Sequence, residues 1–361
     1  MGIKFLTKIL ELSLFNISYF VNYPLIKPKV LQISLTHRCN LKCRMCSVWK
    51  YPTSIEDEMS LDEIIKIISI AKKKFNIKDL VITGGEPLLL GERIIKISEF
   101  ASAKNINIIL TTNGFFLKDY VRDLIKAGIS HFHISIDGLK SSHNYIRDNA
   151  LAFDKAVEAI KVLNKLRKEN NYDYSIGIGV VVLKNNIADL YNLYMYGDEL
   201  GVNIFDMLAY LPDNTDFFSM GSSPLWPSLD SIHRLVEEYK KIVNAGAKHI
   251  KLNEQFDINL MIKYYKRKLN PKDWRCFAGF KNFFIVMADP NKSGRMEPCL
   301  FLCKDHIPLR DYNYDLTKVW YSCKAQKARL LVRNCKSYCY QMCFSLPTIK
   351  SLFKRNPEFN Q

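Results

Sequence analysis

No cysteine occurs between residues 47 and 275. That gap excludes a disulfide framework threaded through the core. With no evident cleavable signal peptide, it points to a reducing, cytoplasmic setting. The ten cysteines fall at the two ends, three at 39–46 and seven at 276–343, which implies two metal-binding regions. A bilayer-spanning run is also lacking, because the apolar stretch at 1–23 is interrupted by Ser13, Asn16 and Ser18. Leu6 stands where an N-myristoylation pattern needs Ser or Thr, so that pattern fails although Gly2 follows Met1. There is no internal repeat and no low-complexity tract. Negative charge is scarce, with 36 acidic against 52 basic residues and a net charge of +16. The lysines are scattered along helical segments, at 72–74, 161–168 and 240–241, as solvated faces are, so nucleic acid is not an expected partner.

What is present suits a globular α/β protein: 48% of residues are hydrophobic and 12% aromatic. At 361 residues the chain is long for one core and short for two large domains. Four regions are expected: an apolar N-terminal helix at 1–29, a barrel-like α/β unit at 30–210, connecting loop and helices at 211–270, and a cysteine-rich domain at 271–361. Leu6, Leu10, Leu14, Ile17 and Val21 recur at helical spacing before Pro24, so residues 1–23 read either as an interfacial helix on a membrane surface or as a helix packed on the rest of the protein.

From 31 to 208 strand and helix patterns alternate. Apolar alternation predicts strands at 31–36, 80–83, 106–112, 131–136, 175–183 and 203–208. Helices are predicted between them at 61–74, 91–104, 117–127, 152–169 and 187–200. Ser60 with Glu63 three residues on is a capping box for the first of these helices, and Gly128 and Gly201 punctuate later helix ends. Alternation of this kind means parallel βαβ units, whose chemistry sits at the C-terminal ends of the strands. Five of the six strands end in polar or glycine-rich loops. After 209 come turn-rich residues, then helices at 228–245 and 254–268.

The organising stretch is Thr36-His37-Arg38-Cys39-Asn40-Leu41-Lys42-Cys43-Arg44-Met45-Cys46, a C-x3-C-x2-C loop leaving the first strand. Three thiolates on one short loop can hold three irons of a cubane and leave the fourth open. Structural zinc wants four ligands and other pair spacings. With Gly84-Gly85-Glu86-Pro87 some forty residues on, the chain resembles the radical S-adenosylmethionine (SAM) enzymes. The resemblance implies a partial (β/α)6 barrel and a [4Fe–4S] cluster on Cys39, Cys43 and Cys46. The open iron of that cluster would chelate SAM and cleave it to a 5′-deoxyadenosyl radical. It also implies an external electron donor such as flavodoxin or ferredoxin. Carried over by position, Gly84, Gly85, Glu86 and Pro87 form the SAM-methionine loop, with Glu86 accepting from the ammonium. Asn113 lies near the sugar or substrate, Ser135 near the methionine carboxylate, Asp137 in the same pocket motif, and Arg147 pairs with that carboxylate. Met45 stands where many members have an aromatic residue, and is expected to pack on the adenine.

The C-terminal cysteines resemble the twitch or SPASM extension of the same family. An apolar run at 283–287 and a turn at 289–294 predict a hairpin with Cys276 and Cys299 on either side. Further on, Cys335, Cys339 and Cys343 follow C-x3-C-x3-C spacing. The resemblance implies one auxiliary [4Fe–4S] cluster on Cys276, Cys299 and two of the last three. The C-x2-C usual in such tails is absent. Cys323 is expected to be a buried thiol. The substrate is left open between a peptide and a lipid-linked or small molecule. Tyr210, Asp213, Asp216 and Cys303 are candidates on the rim, and peripheral membrane contact is expected through residues 1–23. The alternative is a non-catalytic iron–sulfur electron-transfer or redox-sensing protein. The intact Gly-Gly-Glu-Pro loop speaks against it, since an electron carrier has no use for a methionine-binding rim.

Overall fold

The computed structural model describes residues 3–212, 223–288, 294–299, 302, 306–337 and 339–346, excepting the side chains of 3–5 and 343. Asp213, Asp216 and Cys303 therefore lie outside the described residues, as does the side chain of Cys343.

The chain opens with helix α1 (Ile3–Val21) and strand β1 (Val30–Ser34). There follow α2 (Leu61–Phe75), β2 (Asp79–Thr83), α3 (Glu92–Ser102), β3 (Asn107–Thr112), α4 (Leu117–Lys126) and β4 (Ile129–Ser135). Next are α5 (Lys140–Arg147), α6 (Ala152–Asn170), β5 (Ser175–Val182), α7 (Leu190–Glu199) and β6 (Ile204–Ala209). Each predicted strand and helix of this stretch is present. Beyond it lie α8 (Leu229–Val243), β7 (Lys251–Leu252), α9 (Ile258–Tyr265), β8 (Asn282–Val286), β9 (Arg295–Met296), β10 (Ile307–Pro308), α10 (Leu316–Trp320) and α11 (Cys323–Arg333).

All the strands form one sheet in the order β10-β9-β8-β1-β2-β3-β4-β5-β6-β7. Strands β1 to β7 are parallel neighbours, and β8 joins the other side of β1, also parallel, with Gln32 opposite Phe284. The expected hairpin exists, as β8 and β9 are antiparallel with Val286 opposite Arg295. Its first strand is nonetheless a member of the parallel sheet. One continuous hydrophobic core runs from Leu31 to Met342, so the C-terminal segment shares the core of the barrel.

Local chemistry accounts for the frame. The capping box at α2 forms in full: Ser60 Oγ accepts from Glu63 N at 3.2 Å and Glu63 Oε2 accepts from Ser60 N at 2.9 Å. Strand β4 shows how the sheet sorts its residues. Phe132 and Ile134 are fully buried on the face that the helices cover, while His131, His133 and Ser135 alternate onto the other face, which lines the barrel.

Helix α1 packs on the C-terminal region. Leu12, Phe15 and Ser18 are buried, with Phe15 against Phe277 and Phe280. No described helix is long and apolar enough to cross a membrane. Cys323 is a correction: its thiol is exposed, because it opens α11 just after the N-cap Ser322 and faces outward there.

Candidate active site

The three N-terminal thiols come together at the C-terminal end of β1. Cys39, Cys43 and Cys46 share a small apolar cluster with Leu41, Phe115 and Ala152. Burial pushes the Cys39 thiol up to about 11, and the charges of Cys43, Glu86 and Cys46 add to the rise against a hydrogen bond from Leu41 N. Crowded thiols of this kind take up negative charge only with a cation among them, which is what an iron–sulfur cluster supplies. Among the described residues, no three His, Cys, Asp or Glu side chains converge tightly enough for a single metal ion. A cubane asks for less convergence, since each thiolate takes its own iron.

The loop is held from three sides. Arg44 N donates to Ile146 O at 2.9 Å and the Arg44 side chain pairs with Asp148, tying the loop to the end of α5. Trp49 Nε1 donates to Cys43 O. On the other flank, Arg38 Nε and Arg93 Nη1 both bind the buried carboxylate of Glu58, at 2.8 and 2.9 Å.

The Gly84–Pro87 loop lies directly on this one. Gly85 N donates to Thr36 O at 2.6 Å and Glu86 N to Arg38 O at 2.9 Å. A Cβ on Gly85 would sit 2.2 Å from Arg38 O, and one on Gly84, whose φ is +149°, would sit 2.6 Å from Thr36 O. Only glycine permits this backbone-on-backbone approach.

Glu86 does something other than point into an open pocket. It is fully buried, and its carboxylate accepts from Thr112 Oγ1 at 2.8 Å, Asn113 N at 2.8 Å and Leu88 N at 3.1 Å. Burial pushes its pKa up against the pull of those three donors. Its carboxylate thus pins the end of β3 to the glycine loop, and little acceptor capacity remains for an ammonium. Asn113 continues the tie, since its Nδ2 donates to Asn40 Oδ1 at 2.8 Å. Asn40 Nδ2 is a buried donor with no partner among the described residues.

Arg147 is committed as well. Its Nη2 lies 2.6 Å from Asp137 Oδ2, and its Nη1 reaches Cys43 Sγ at 3.8 Å. Its buried Nε has no partner among the described residues. Asp137 is fully buried, and its Oδ1 accepts from Val181 N at 2.9 Å. His143 Nδ1 accepts from Asp137 N, and burial and Arg147 hold that imidazole well below its ordinary range. Asn186, in the loop after β5, is a buried brace whose Nδ2 donates to Asp137 O at 2.6 Å. Ser135 stands half-buried at the end of β4, its hydroxyl without a hydrogen bond among the described residues. Met45 is half-buried against the main core, and Pro87 opens a buried 3-10 turn.

One constellation escaped the sequence reading. On the barrel-facing side, His133 Nδ1 lies 3.3 Å from Asp206 Oδ2, Asn253 Nδ2 donates to Asp206 Oδ1, and His131 Nδ1 meets Ser175 Oγ at 2.6 Å. Asp206 is in register with Ser135 across Gly179. A Cβ on Gly179 would fall 2.2 Å from His133 Nε2, so the glycines of β5 clear room for the imidazoles. The alternation of His131 and His133, with glycine at 177 and 179, was the available signal.

At the C-terminus, Cys276 and Cys299 each pack against the buried cluster of Ala278, Val332 and Phe344. Cys276 and Cys335 both bear electrostatically on Tyr19, and Cys339 bears on Tyr264 of α9. The described thiols that the hairpin and the end of α11 carry are thus gathered in one region, which fits an auxiliary cluster. Tyr210 is buried, its hydroxyl 3.1 Å from Ser223 Oγ, so it forms part of the barrel wall.

The family model described as the radical SAM superfamily matches residues 33–196. GTP 3′,8-cyclase of Campylobacter jejuni is 34% identical over 163 residues, 44% of this chain and 48% of that protein, so the match spans about half the length of this curated relative. Among solved structures, Streptococcus suis SuiB bound to the precursor peptide SuiA matches with a TM-score of 0.64 at 18% identity, covering 87% of this chain and 69% of that one. The structure of anSMEcpe with bound AdoMet and Cp18Cys peptide matches with a TM-score of 0.60 at 19% identity, covering 88% and 87%. These structures share the fold over a larger part of the chain than the matched domain. Residues 33–196 thus carry a radical SAM domain, and the thiol loop and glycine loop within it fit a [4Fe–4S] cluster and SAM.

Proposed function

We propose that the chain is a radical SAM enzyme: the cluster on Cys39, Cys43 and Cys46 supplies reductive cleavage of SAM to a 5′-deoxyadenosyl radical, which takes hydrogen from an organic substrate. The observation that carries this reading is the seating of the Gly84-Gly85 backbone on Thr36–Arg38, at the root of the thiol loop. A protein that only carried electrons would have no use for a bare peptide edge beside its cluster.

The residues divide the work. Leu41, Phe115 and Ala152 keep water from the thiols. Arg147 offsets negative charge at Cys43, and its unpartnered Nε, like Asn40 Nδ2, is a donor for an anionic group such as a carboxylate. Ser135, two residues before Asp137, offers a hydroxyl that has no hydrogen bond among the described residues. Glu86 holds the two loops in register, which leaves the ammonium to backbone acceptors of the glycine loop. In the C-terminal region, Cys276, Cys299 and Cys335 are three ligands of an auxiliary [4Fe–4S] cluster, with Cys339 or Cys343 as the fourth. A cytoplasmic one-electron donor such as flavodoxin or ferredoxin completes the system.

For substrate, the reading favoured is a peptide or a lipid-linked or small metabolite that enters over the strand ends. The support is that the peptide-bound neighbours share the fold over 87–88% of this chain. A second reading, a guanine nucleotide, rests on the relatives named GTP 3′,8-cyclase, whose likeness covers a smaller share of the chain.

The test is anaerobic reconstitution with iron analysis, EPR, and detection of 5′-deoxyadenosine after reduction. About eight irons per chain, falling to about four in the Cys39/Cys43/Cys46 triple alanine with loss of 5′-deoxyadenosine, supports the assignment. Iron without any SAM cleavage in the wild type overturns it. GTP consumption coupled to 5′-deoxyadenosine would select the second reading for substrate.

A further inference from the structure

Helix α1 is fastened on one side and open on the other. On the inner side, Tyr19 sets its ring 5.5 Å from Phe277 and 5.8 Å from Phe280, and its hydroxyl donates to Arg333 O at 3.3 Å. Arg275 Nη1 donates to Asn16 Oδ1, and Asn22 Nδ2 donates to Gln326 O of α11. These partners flank Cys276 and Cys335, so the helix is locked onto the loops that carry the C-terminal thiols.

The outer side is apolar and uncovered among the described residues. Leu6, Leu10, Ile17, Phe20 and Val21 follow one another at helical spacing and are 46–61% exposed; Tyr23 and Leu25 extend the surface. On neighbouring α11, Leu330 and Leu331 are exposed too. The inner side is already filled by Leu12, Phe15 and Tyr19, so the outer apolar residues cannot be buried by the chain itself. A contiguous exposed apolar face of this kind is a contact surface.

The charge around it selects the occupant. Glu11 is the only acidic residue among residues 1–29, and Lys29 pairs with it at 2.7 Å. No acidic residue occurs between 316 and 346, whereas Lys324 and Lys327 stand exposed on α11. Arg275 lies over the Phe20 ring at 4.9 Å. A second copy of the chain would bring these cations against their own kind. An anionic bilayer surface would receive the apolar side chains at the acyl boundary and the cations at its headgroups.

We propose that the outer face of α1, together with the exposed side of α11, docks this protein on anionic lipid bilayers, lying in the interface without spanning it. This inference is independent of SAM cleavage, and it places the C-terminal thiol region close to the membrane.

Full-length reconstituted protein is to be sedimented with vesicles of equimolar phosphatidylglycerol and phosphatidylcholine, and with vesicles of phosphatidylcholine alone. Expected is partition into the anionic vesicles. It should fall about ten- to a hundred-fold in Leu10→Glu and in Phe20→Glu, with iron content unchanged. Lys324→Glu/Lys327→Glu should weaken binding to anionic vesicles in a salt-sensitive way. If Phe20→Glu also loses iron, Leu10→Glu, farther from Arg275, decides the matter. No partition by the wild type, or partition that Leu10→Glu leaves intact, overturns the proposal. So does a wild-type dimer that Leu10→Glu converts to a monomer, since the face would then belong to a second copy.

Discussion

Arg147 Nη1 stands 3.8 Å from Cys43 Sγ, while Nη2 of the same guanidinium lies 2.6 Å from Asp137 Oδ2. The pair joins the cluster loop to the end of β4 through one cation. Burial pushes the Cys43 thiol up, and Arg147 is the largest influence pulling it back. The arginine therefore favours the thiolate that iron needs, and it neutralises a carboxylate buried with it.

Arg147→Met leaves Asp137 as a buried charge without its partner. Loss of one member of a buried pair costs about 3–5 kcal/mol. Urea unfolding of the apoprotein should show a loss of that order, and Asp137→Asn/Arg147→Met should regain part of it. Iron retention should stay low in both, because neither restores the positive charge near Cys43. A double variant that binds iron like the wild type would sink the assignment of Arg147 to the cluster loop.

Gly85→Ala tests the contact between the two loops. Its Cβ would meet the Arg38 carbonyl at 2.2 Å, and a backbone oxygen cannot swing aside as a side chain can. The loops must part, so SAM affinity and 5′-deoxyadenosine yield should fall by at least about ten-fold, equivalent to about 1.4 kcal/mol. The cluster spectrum should persist, since the thiols themselves are untouched. Gly246→Ala is the comparison for backbone strain without a clash: nothing lies within 4 Å of a Cβ there. Its φ of +61° is left-handed, so it should lose some stability while keeping SAM affinity. Equal SAM affinity in Gly85→Ala and the wild type would contradict the seating described above.

Glu86→Gln separates a brace from a ligand. The carboxylate accepts three hydrogen bonds, two from backbone N–H groups that cannot reverse their polarity. An amide of the same shape must turn its NH2 toward one of those donors, which leaves a buried group unsatisfied at about 1–3 kcal/mol. Apoprotein stability should drop by that amount before any cofactor is added. A variant as stable as the wild type that has lost only SAM binding would show that Glu86 acts as a ligand and not as a brace.

Much of this was legible in the sequence because it is local. Ser60 and Glu63 carry the start of α2 in four residues, and the apolar alternation at Leu31 and Ile33 carries β1. Helix α5 escaped notice because it is polar through Lys140-Ser141-Ser142; among its residues only His143, Ile146 and Arg147 are buried. The placement of β8 beside β1 escaped for another reason. Parallel pairing of Gln32 with Phe284 joins residues far apart in the chain, and no turn signal announces it. The carboxylate of Glu86 shows the limit within a motif: residue type and position can mark the site, but whether a side chain faces a ligand or its own backbone depends on neighbours such as Thr112 that fold against it.

The barrel-facing imidazoles give the protein an acid sensitivity with a defined sign. Burial, and secondarily His133, hold the His131 pKa down to about 4, below the ordinary 6.5. Between about pH 6.5 and pH 4 the unfolded chain binds a proton at this position that the folded chain does not. Stability from this residue is therefore complete above the upper value and declines as the pH falls through that window, by roughly 3 kcal/mol at the limit. Glu63, whose carboxyl hydrogen bonds from Arg310, Tyr314 and Ser60 hold down to about 2 against its burial, loses its contribution only at lower pH, so the two windows are separable. His131→Gln removes the titrating ring and keeps a polar group for Ser175 Oγ. Urea midpoints of the apoprotein at pH 7 and pH 4.5 should differ less in His131→Gln than in the wild type. A pH dependence of unchanged steepness would mean that His131 already carries its proton in the folded barrel, in which case its bond to Ser175 would have to run from ring to hydroxyl.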